Sequence, residues 1–81
     1  MSGALRVGDV DSAGHKMKTG SANVFINGVA ACHVGNKDTK KDTLTTGSST
    51  VFINGKPMGR MGDKDSRRNV KISGSSNVSV N

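Results

Sequence analysis

Apolar positions along the chain come in short runs set at a fixed interval. Val24-Phe25-Ile26 is followed 27 residues later by Val51-Phe52-Ile53, and after a further 27 by Val78-Ser79-Val80. Each run has the same polar approach: Gly20-Ser21-Ala22-Asn23, Gly47-Ser48-Ser49-Thr50 and Gly74-Ser75-Ser76-Asn77. The frame extends further, because Arg6-Val7-Gly8-Asp9, His33-Val34-Gly35-Asn36 and Arg60-Met61-Gly62-Asp63 also stand 27 residues apart. Three copies of one unit therefore fill the 81 residues, and a repeat of this kind defines the architecture before any single motif does.

Short β-branched and aromatic runs suit strands. Asn27-Gly28 and Asn54-Gly55 directly follow such runs and predict two-residue hairpin turns, whose central residues both need positive φ. The return strands are expected over residues 30–34 and 57–61. Pro57 lacks a backbone N–H and belongs at a strand start or edge. Residues 9–19, 36–46 and 63–73 form polar inter-unit segments rich in Lys, Asp, Ser and Thr, and no stretch shows helical periodicity. Alternation along the return strands turns Leu5, Cys32 and Gly59, with Val7, Val34 and Met61, inward. Arg6, His33 and Arg60 then face outward. The chain begins and ends inside a unit, with Asn81 and Met1 falling where Asn27 and Gly28 fall. The C-terminal strand, about residues 75–81, should pair with an N-terminal strand at about residues 4–8 and complete the third hairpin, with the termini side by side. The expected fold is all-β: a single domain over residues 1–81, a small cone-like closed arrangement of three hairpins around a pseudo-three-fold axis.

Composition narrows the function. Twelve Lys and Arg against six acidic residues give a net charge of +6, which favours anionic partners. Two Phe with no Tyr or Trp leave few stacking platforms for single-stranded nucleic acid. Cys32 is the only cysteine, so no disulfide forms within the chain, although scaffolds of this size often rely on a staple. No apolar run approaches the roughly 20 residues of a membrane helix, and the N-terminus lacks a secretory signal, so synthesis in the cytoplasm is expected. There is no nucleophile with a positioned base and no phosphate-cradling loop leading into a helix; an enzyme is not expected. Asp9, Asn36 and Asp63, and Asp11, Asp38 and Asp65, recur once per unit. Such recurrence suits turn residues bonding their own backbone, whereas a catalytic pair would be needed once.

With Gly20 to Gly28, Gly47 to Gly55 and Gly55-Lys56-Pro57-Met58-Gly59-Arg60-Met61-Gly62-Asp63 laid out in frame, nearly the whole chain resembles the PAAR family. These are small tip proteins of the type VI secretion system and of contractile phage tails. The resemblance implies a structural cap on a trimeric β-helical spike, one monomer per trimer, sharpening it to pierce a target envelope in transient contact with the membrane. It also places the protein in an assembled tail or secretion spike. Geometry agrees independently: a monomer can match a true three-fold face by showing three near-equivalent patches. The family's own tetrad is replaced here by Ala30-Ala31-Cys32-His33 and Pro57-Met58-Gly59-Arg60. The chain has no room for a toxin domain, so any effector is expected to be a separate protein.

The resemblance further implies a zinc near the tip, held by three His and one Cys from the inter-unit segments. Those segments here supply only His15; the second carries Lys37, Lys40, Lys41 and Asp42, and the third Lys64, Arg67 and Arg68. A closed zinc site wants four N or S ligands, so the expectation is no metal. If a zinc or iron ion is held, His15 with Cys32 or His33 is the partial set. Cys32 otherwise reads as a core side chain and His33 as a surface residue; as strand neighbours they point to opposite faces. His15 shares its frame position with Asp42 and Asn69, which a three-fold axis would bring together, and a His15–Asp42 hydrogen bond could tie two segments. The segment end is expected to form the tip. The competing readings are a small basic nucleic-acid-binding protein, disfavoured by the missing aromatics, and an open adhesive or ice-binding stack, disfavoured by the closing termini.

Overall fold

Both Asn-Gly pairs adopt left-handed backbone, with φ of 54° and 78° at Asn27 and Gly28 and 51° and 83° at Asn54 and Gly55. They turn β2 (Phe25–Ile26) back onto β3 (Val29–Ala30), and β4 (Phe52–Ile53) onto β5 (Lys56–Pro57). The third hairpin is assembled from the chain ends: β1 (Ser2–Gly3) pairs antiparallel with β6 (Ser79–Val80), Ser2 opposite Val80. The computed structural model describes residues 2–80; the expected turn equivalence of Met1 and Asn81 lies outside them. The fold is all-β, and its extents are 23 × 23 × 22 Å.

The ladders are shorter than the sequence suggests. The terminal ladder falls at Ser2–Gly3 and overlaps the expected residues 4–8 only at Ala4; each two-residue ladder is followed by one last bond to its own hairpin, from the N–H of Ala4 to Val78, of Ala31 to Val24 and of Met58 to Val51. Beyond that point the chain bridges the other units: Ala4 with Arg60, Arg6 with Ala31, His33 with Met58. Three hairpins that kept their own return strands would pack only through side chains. Crossing over lets backbone groups close the ring. At its centre the Leu5 N–H donates to the Gly59 carbonyl (3.0 Å), Gly59 to Cys32 (2.8 Å) and Cys32 to Leu5 (3.0 Å). These three bonds form a closed triangle.

This crossing also breaks the inside–outside alternation. Leu5, Cys32 and Gly59 are buried as expected, but so are the preceding Ala4, Ala31 and Met58. Val7 and Val34 are only half-buried, and Met61 is 38% exposed. Alternation assumes one covered face; here consecutive residues meet different units, so both faces find protein. Two apolar clusters result. One, beneath the hairpins, joins Ala4, Ala31, Ile53, Met58 and Val80. The other, beneath the inter-unit segments, joins Leu5, Met17, Cys32 and Leu44.

The recurring Gly-Ser has a steric and a polar cause. A Cβ on Gly20, Gly47 or Gly74 would lie 2.9 Å from the carbonyl oxygen of Ala31, Met58 or Ala4. The buried hydroxyls of Ser21, Ser48 and Ser75 each accept N–H bonds from two and three residues ahead, fixing the entry into the Val runs. A Cβ on Gly59 would meet Leu44 Cδ2 at 2.8 Å and Leu5 Cδ2 at 3.0 Å. Gly59→Ala is thus expected to destabilise by about 1–3 kcal/mol through overpacking, and Leu5→Ala by about 2–5 kcal/mol through a cavity. The double variant should lose clearly less than the sum, since the new methyl enters the space Leu5 vacates. Denaturant midpoints read this directly, and additive losses would contradict the shared axial space.

Candidate functional site

Each inter-unit segment opens with a short polar side chain folded onto its own backbone. Asp9 accepts from Arg6 N–H (2.8 Å), Asn36 from His33 N–H (2.7 Å) and Asp63 from Arg60 N–H (2.7 Å). Arg6 and Arg60 pair with these carboxylates through their guanidinium groups. In the second unit the frame-related pair is His33 and Asn36, so the carboxylate that Arg6 and Arg60 meet elsewhere is replaced by an amide.

Two residues on, Asp11, Asp38 and Asp65 each accept two backbone N–H bonds at Oδ1, from residues two and four ahead, at 2.8–3.0 Å. The segments then join hand to hand: Lys18 N–H donates to Lys37, Thr45 to Lys64 and Ile72 to Val10. This linkage places the three carboxylates side by side, with their side chains fully buried and the Oδ2 atoms convergent.

Lys71 fills the space between them. Its Nζ lies 3.2 Å from Asp65 Oδ2, 3.5 Å from Asp11 Oδ2 and 3.9 Å from Asp38 Oδ2, with no side-chain exposure. In the repeat frame Lys71 occupies the position of Met17 and Leu44, which pack in the apolar cluster below. One unit in three therefore supplies an ammonium in place of a hydrocarbon. Burial alone would raise the Asp65 carboxyl, but the Asn69 and Arg67 N–H groups and the Lys71 ammonium together hold it below its ordinary value.

His15 closes the same cluster from the solvent side. Its Nδ1 lies 3.6 Å from Asp11 Oδ2 and 3.9 Å from both Asp38 Oδ2 and Asp42 Oδ2. The frame-related His15 and Asp42 thus do come together, at a separation longer than a hydrogen bond. Asp42 pairs through Oδ1 with the exposed Arg67 at 3.0 Å.

Of the three residues considered for a metal, the structure brings only His15 into a group of potential ligands; neither Cys32 nor His33 joins a cluster of three or more among the described residues. The Cys32 thiol donates to the Thr19 carbonyl, and burial, then Asp9, pushes it up to about 12. The His33 ring meets the carbonyl of Val34 at 2.9 Å. These residues do not fit an ion held by three imidazoles and a thiolate. The sequence offers Asp42 as an acceptable ligand beside His15, but not Asp11, Asp38, Asp65 or Lys71, because a recurring Asp in a polar segment reads as a turn and Lys as solvated. The frame itself held the signal: Met17, Leu44 and Lys71 are equivalent.

A family model described as the PAAR motif matches residues 7–67. No curated protein matches the chain. The chain belongs to the PAAR-motif family, a structural family of spike-tip proteins in contractile injection systems.

Lys71→Met restores the hydrocarbon of the other two units and leaves three buried carboxylates without their ammonium. Removing one partner of a buried ion cluster costs about 3–5 kcal/mol. In the parent, the lowered Asp65 value means that its contribution is complete above the unfolded carboxyl value and is lost only as pH falls further, through the folded value. The variant should show the opposite sign, least stable at neutral pH and recovering on acidification as its carboxylates take up protons. Unfolding curves at about pH 7 and pH 4 distinguish the two; a variant as stable as the parent at neutral pH would contradict the role of Lys71.

Proposed function

We propose that the chain caps a trimeric β-helical spike, one copy per trimer, with its hairpin end seated on the spike and its segment end outward as the piercing tip. The observation that carries this reading is the division of surface chemistry between the two ends. On the hairpins the frame-related Phe25 and Phe52 are 56% and 54% exposed, with Val51 beside them and Ser79 in the third position. Exposed aromatics of this kind suit a contact surface. The turns are tied laterally, Asn27 to Asn77 and Asn54 to Asn23, each at 3.0 Å, so the hairpins present themselves as one rigid face. A pseudo-three-fold face is what a three-fold spike end can accept without leaving a protomer unmatched.

The segment end is cationic for a structural reason. All six aspartates are buried, whereas Lys71 alone of the twelve basic side chains is. Neutralisation inside thus leaves a surface of one sign outside. A tip of this kind is drawn toward the anionic headgroups of a target envelope before and during transient contact. The role is structural: force delivered along the spike is concentrated on one small, cross-tied module. Assembly on the spike, in a phage tail or a secretion apparatus, is where this chain acts.

Two measurements test the reading. Light scattering after size exclusion should find a monomer alone and one chain per trimer when mixed with a β-helical spike tip. Phe25→Asp with Phe52→Asp should abolish the complex while leaving the circular dichroism unchanged; a stable homotrimer, or a complex indifferent to these changes, would count against it. For the outer end, sedimentation with anionic vesicles should show binding at about 20 mM salt that is lost at about 500 mM, where charges are screened within a few ångströms. Neutral vesicles should not bind. Equal binding to both would remove the electrostatic part of the proposal.

A further inference from the structure

The three inter-unit segments close into a ring. Within segments, Val10 bridges Lys16, Lys37 bridges Thr43 and Lys64 bridges Val70; between segments, Met17 bridges Asp38, Leu44 bridges Asp65 and Asp11 bridges Lys71, all antiparallel. Asp11, Met17, Asp38, Leu44, Asp65 and Lys71 are buried at its centre. Their chain neighbours therefore point outward, because successive residues of an extended strand face opposite sides. Each seam between two segments presents three such residues at equivalent places in the repeat. They are Lys16, Lys18 and Lys37 at the first seam, and Thr43, Thr45 and Lys64 at the second. At the third seam they are Val70, Ile72 and Val10. The ring is thus densely cationic on one flank and apolar on another.

The apolar flank is continuous. The Ile72 N–H donates to the Val10 carbonyl and the Ser12 N–H to the Val70 carbonyl, so the three aliphatic side chains stand on directly bonded strands. Ile72 is 53% exposed, with Val10 and Val70 half-buried beside it. Met61, also exposed, extends the flank toward the third hairpin, where the Gly62 N–H donates to the Lys71 carbonyl. In the other units the places of Met61 and Ile72 are taken by Val7 with Lys18 and by Val34 with Thr45. The exposed large apolar side chains among the described residues therefore form two patches: Phe25, Val51 and Phe52 on the hairpins, and Met61 with Ile72 on this flank. An apolar patch rimmed by polar residues marks a contact surface.

We infer that Val10, Val70, Ile72 and Met61 form a docking flank for one extended polypeptide segment of a partner protein, alternating branched apolar and acidic side chains. Charge selects the acids. Lys16 and Lys64 border the strip on its two sides, exposed and without an ion-pair partner among the described residues. The same border disfavours a second copy of this chain, which would bring lysine against lysine. One-sidedness selects a polypeptide over lipid: a bilayer meets every sector of a body 23 Å across alike, whereas a partner bound once meets one. The ring has no free edge, so the contact runs through side chains, apolar ones on the strip and acids reaching the bordering ammonium groups. This flank lies apart from the hairpin face, and the inference is independent of the spike reading.

The probe is a short synthetic peptide in which glutamate alternates with isoleucine, titrated into the full chain and followed by amide chemical-shift mapping. Shifts are expected around Val10, Val70, Ile72 and the bordering Lys16 and Lys64. Val10→Lys with Ile72→Lys gives this seam the side chains that the frame already accepts at Lys37, Lys64 and Lys18, so its circular dichroism should match the parent's. It adds positive charge, so a purely electrostatic contact would tighten; the flank predicts binding weakened at least about tenfold. Ile72→Thr, after Thr45, should weaken it with no change of charge. A peptide with serine for isoleucine, or lysine for glutamate, should not bind, and Phe25→Asp with Phe52→Asp should leave binding intact. No localised shift at about 1 mM peptide, or shifts centred on Lys16, Lys18 and Lys37, would overturn the site. So would a self-association, or a binding to anionic vesicles, that the double lysine variant abolishes, since either would assign the flank to a second copy or to lipid.

Discussion

Three backbone hydrogen bonds between Leu5, Gly59 and Cys32 close on themselves, and the rest of the molecule is arranged around that triangle. Each such bond contributes only about 0.5–1.5 kcal/mol. Their geometric demand is larger than their energy. Three chain segments must meet within bonding distance, so no three large side chains can share the level. The sequence meets this with one leucine, one cysteine and one glycine, all buried. The return strands leave their hairpins early because these N–H and C=O groups are needed at the centre.

Below the triangle the molecule is held by hydrocarbon, and beyond it by ions. Burial of so many carboxylates would be prohibitive if their oxygens were bare. Most are not: Oδ1 of each axial aspartate is occupied by the turn it forms, and an ammonium stands among the Oδ2 atoms. A module of 81 residues has limited apolar surface to bury, and here a polar centre takes over part of the task of fixing the segments. Placing the acids inside also sets the sign of the exterior, so the internal stapling and the cationic surface have one cause.

Much of the fold was legible because it depended on local rules repeated three times. The Asn27-Gly28 and Asn54-Gly55 turns, the Gly-Ser approaches and the closure by the two ends all follow from the 27-residue frame. Strand length and facing were not legible, since alternation presumes a single neighbour and Ala4, Ala31 and Met58 each have several. The turn role of Asp11, Asp38 and Asp65 was visible in their recurrence; the convergence of their second oxygens was not, because it depends on how three distant segments meet. Lys71 was hidden by its own chemistry: a lysine in a polar stretch reads as solvated until it is set beside Met17 and Leu44.

A symmetric trimer has no freedom at its axis, for whatever one protomer places there arrives in triplicate. Three lysines converging on one point would repel, and three methionines would leave the carboxylates uncompensated. Covalent triplication lifts that restriction. The chain keeps three-fold geometry in its backbone while placing a single ammonium among three acids. Positions on the axis are thus free to differ between the copies, and there charge can be adjusted by one unit at a time.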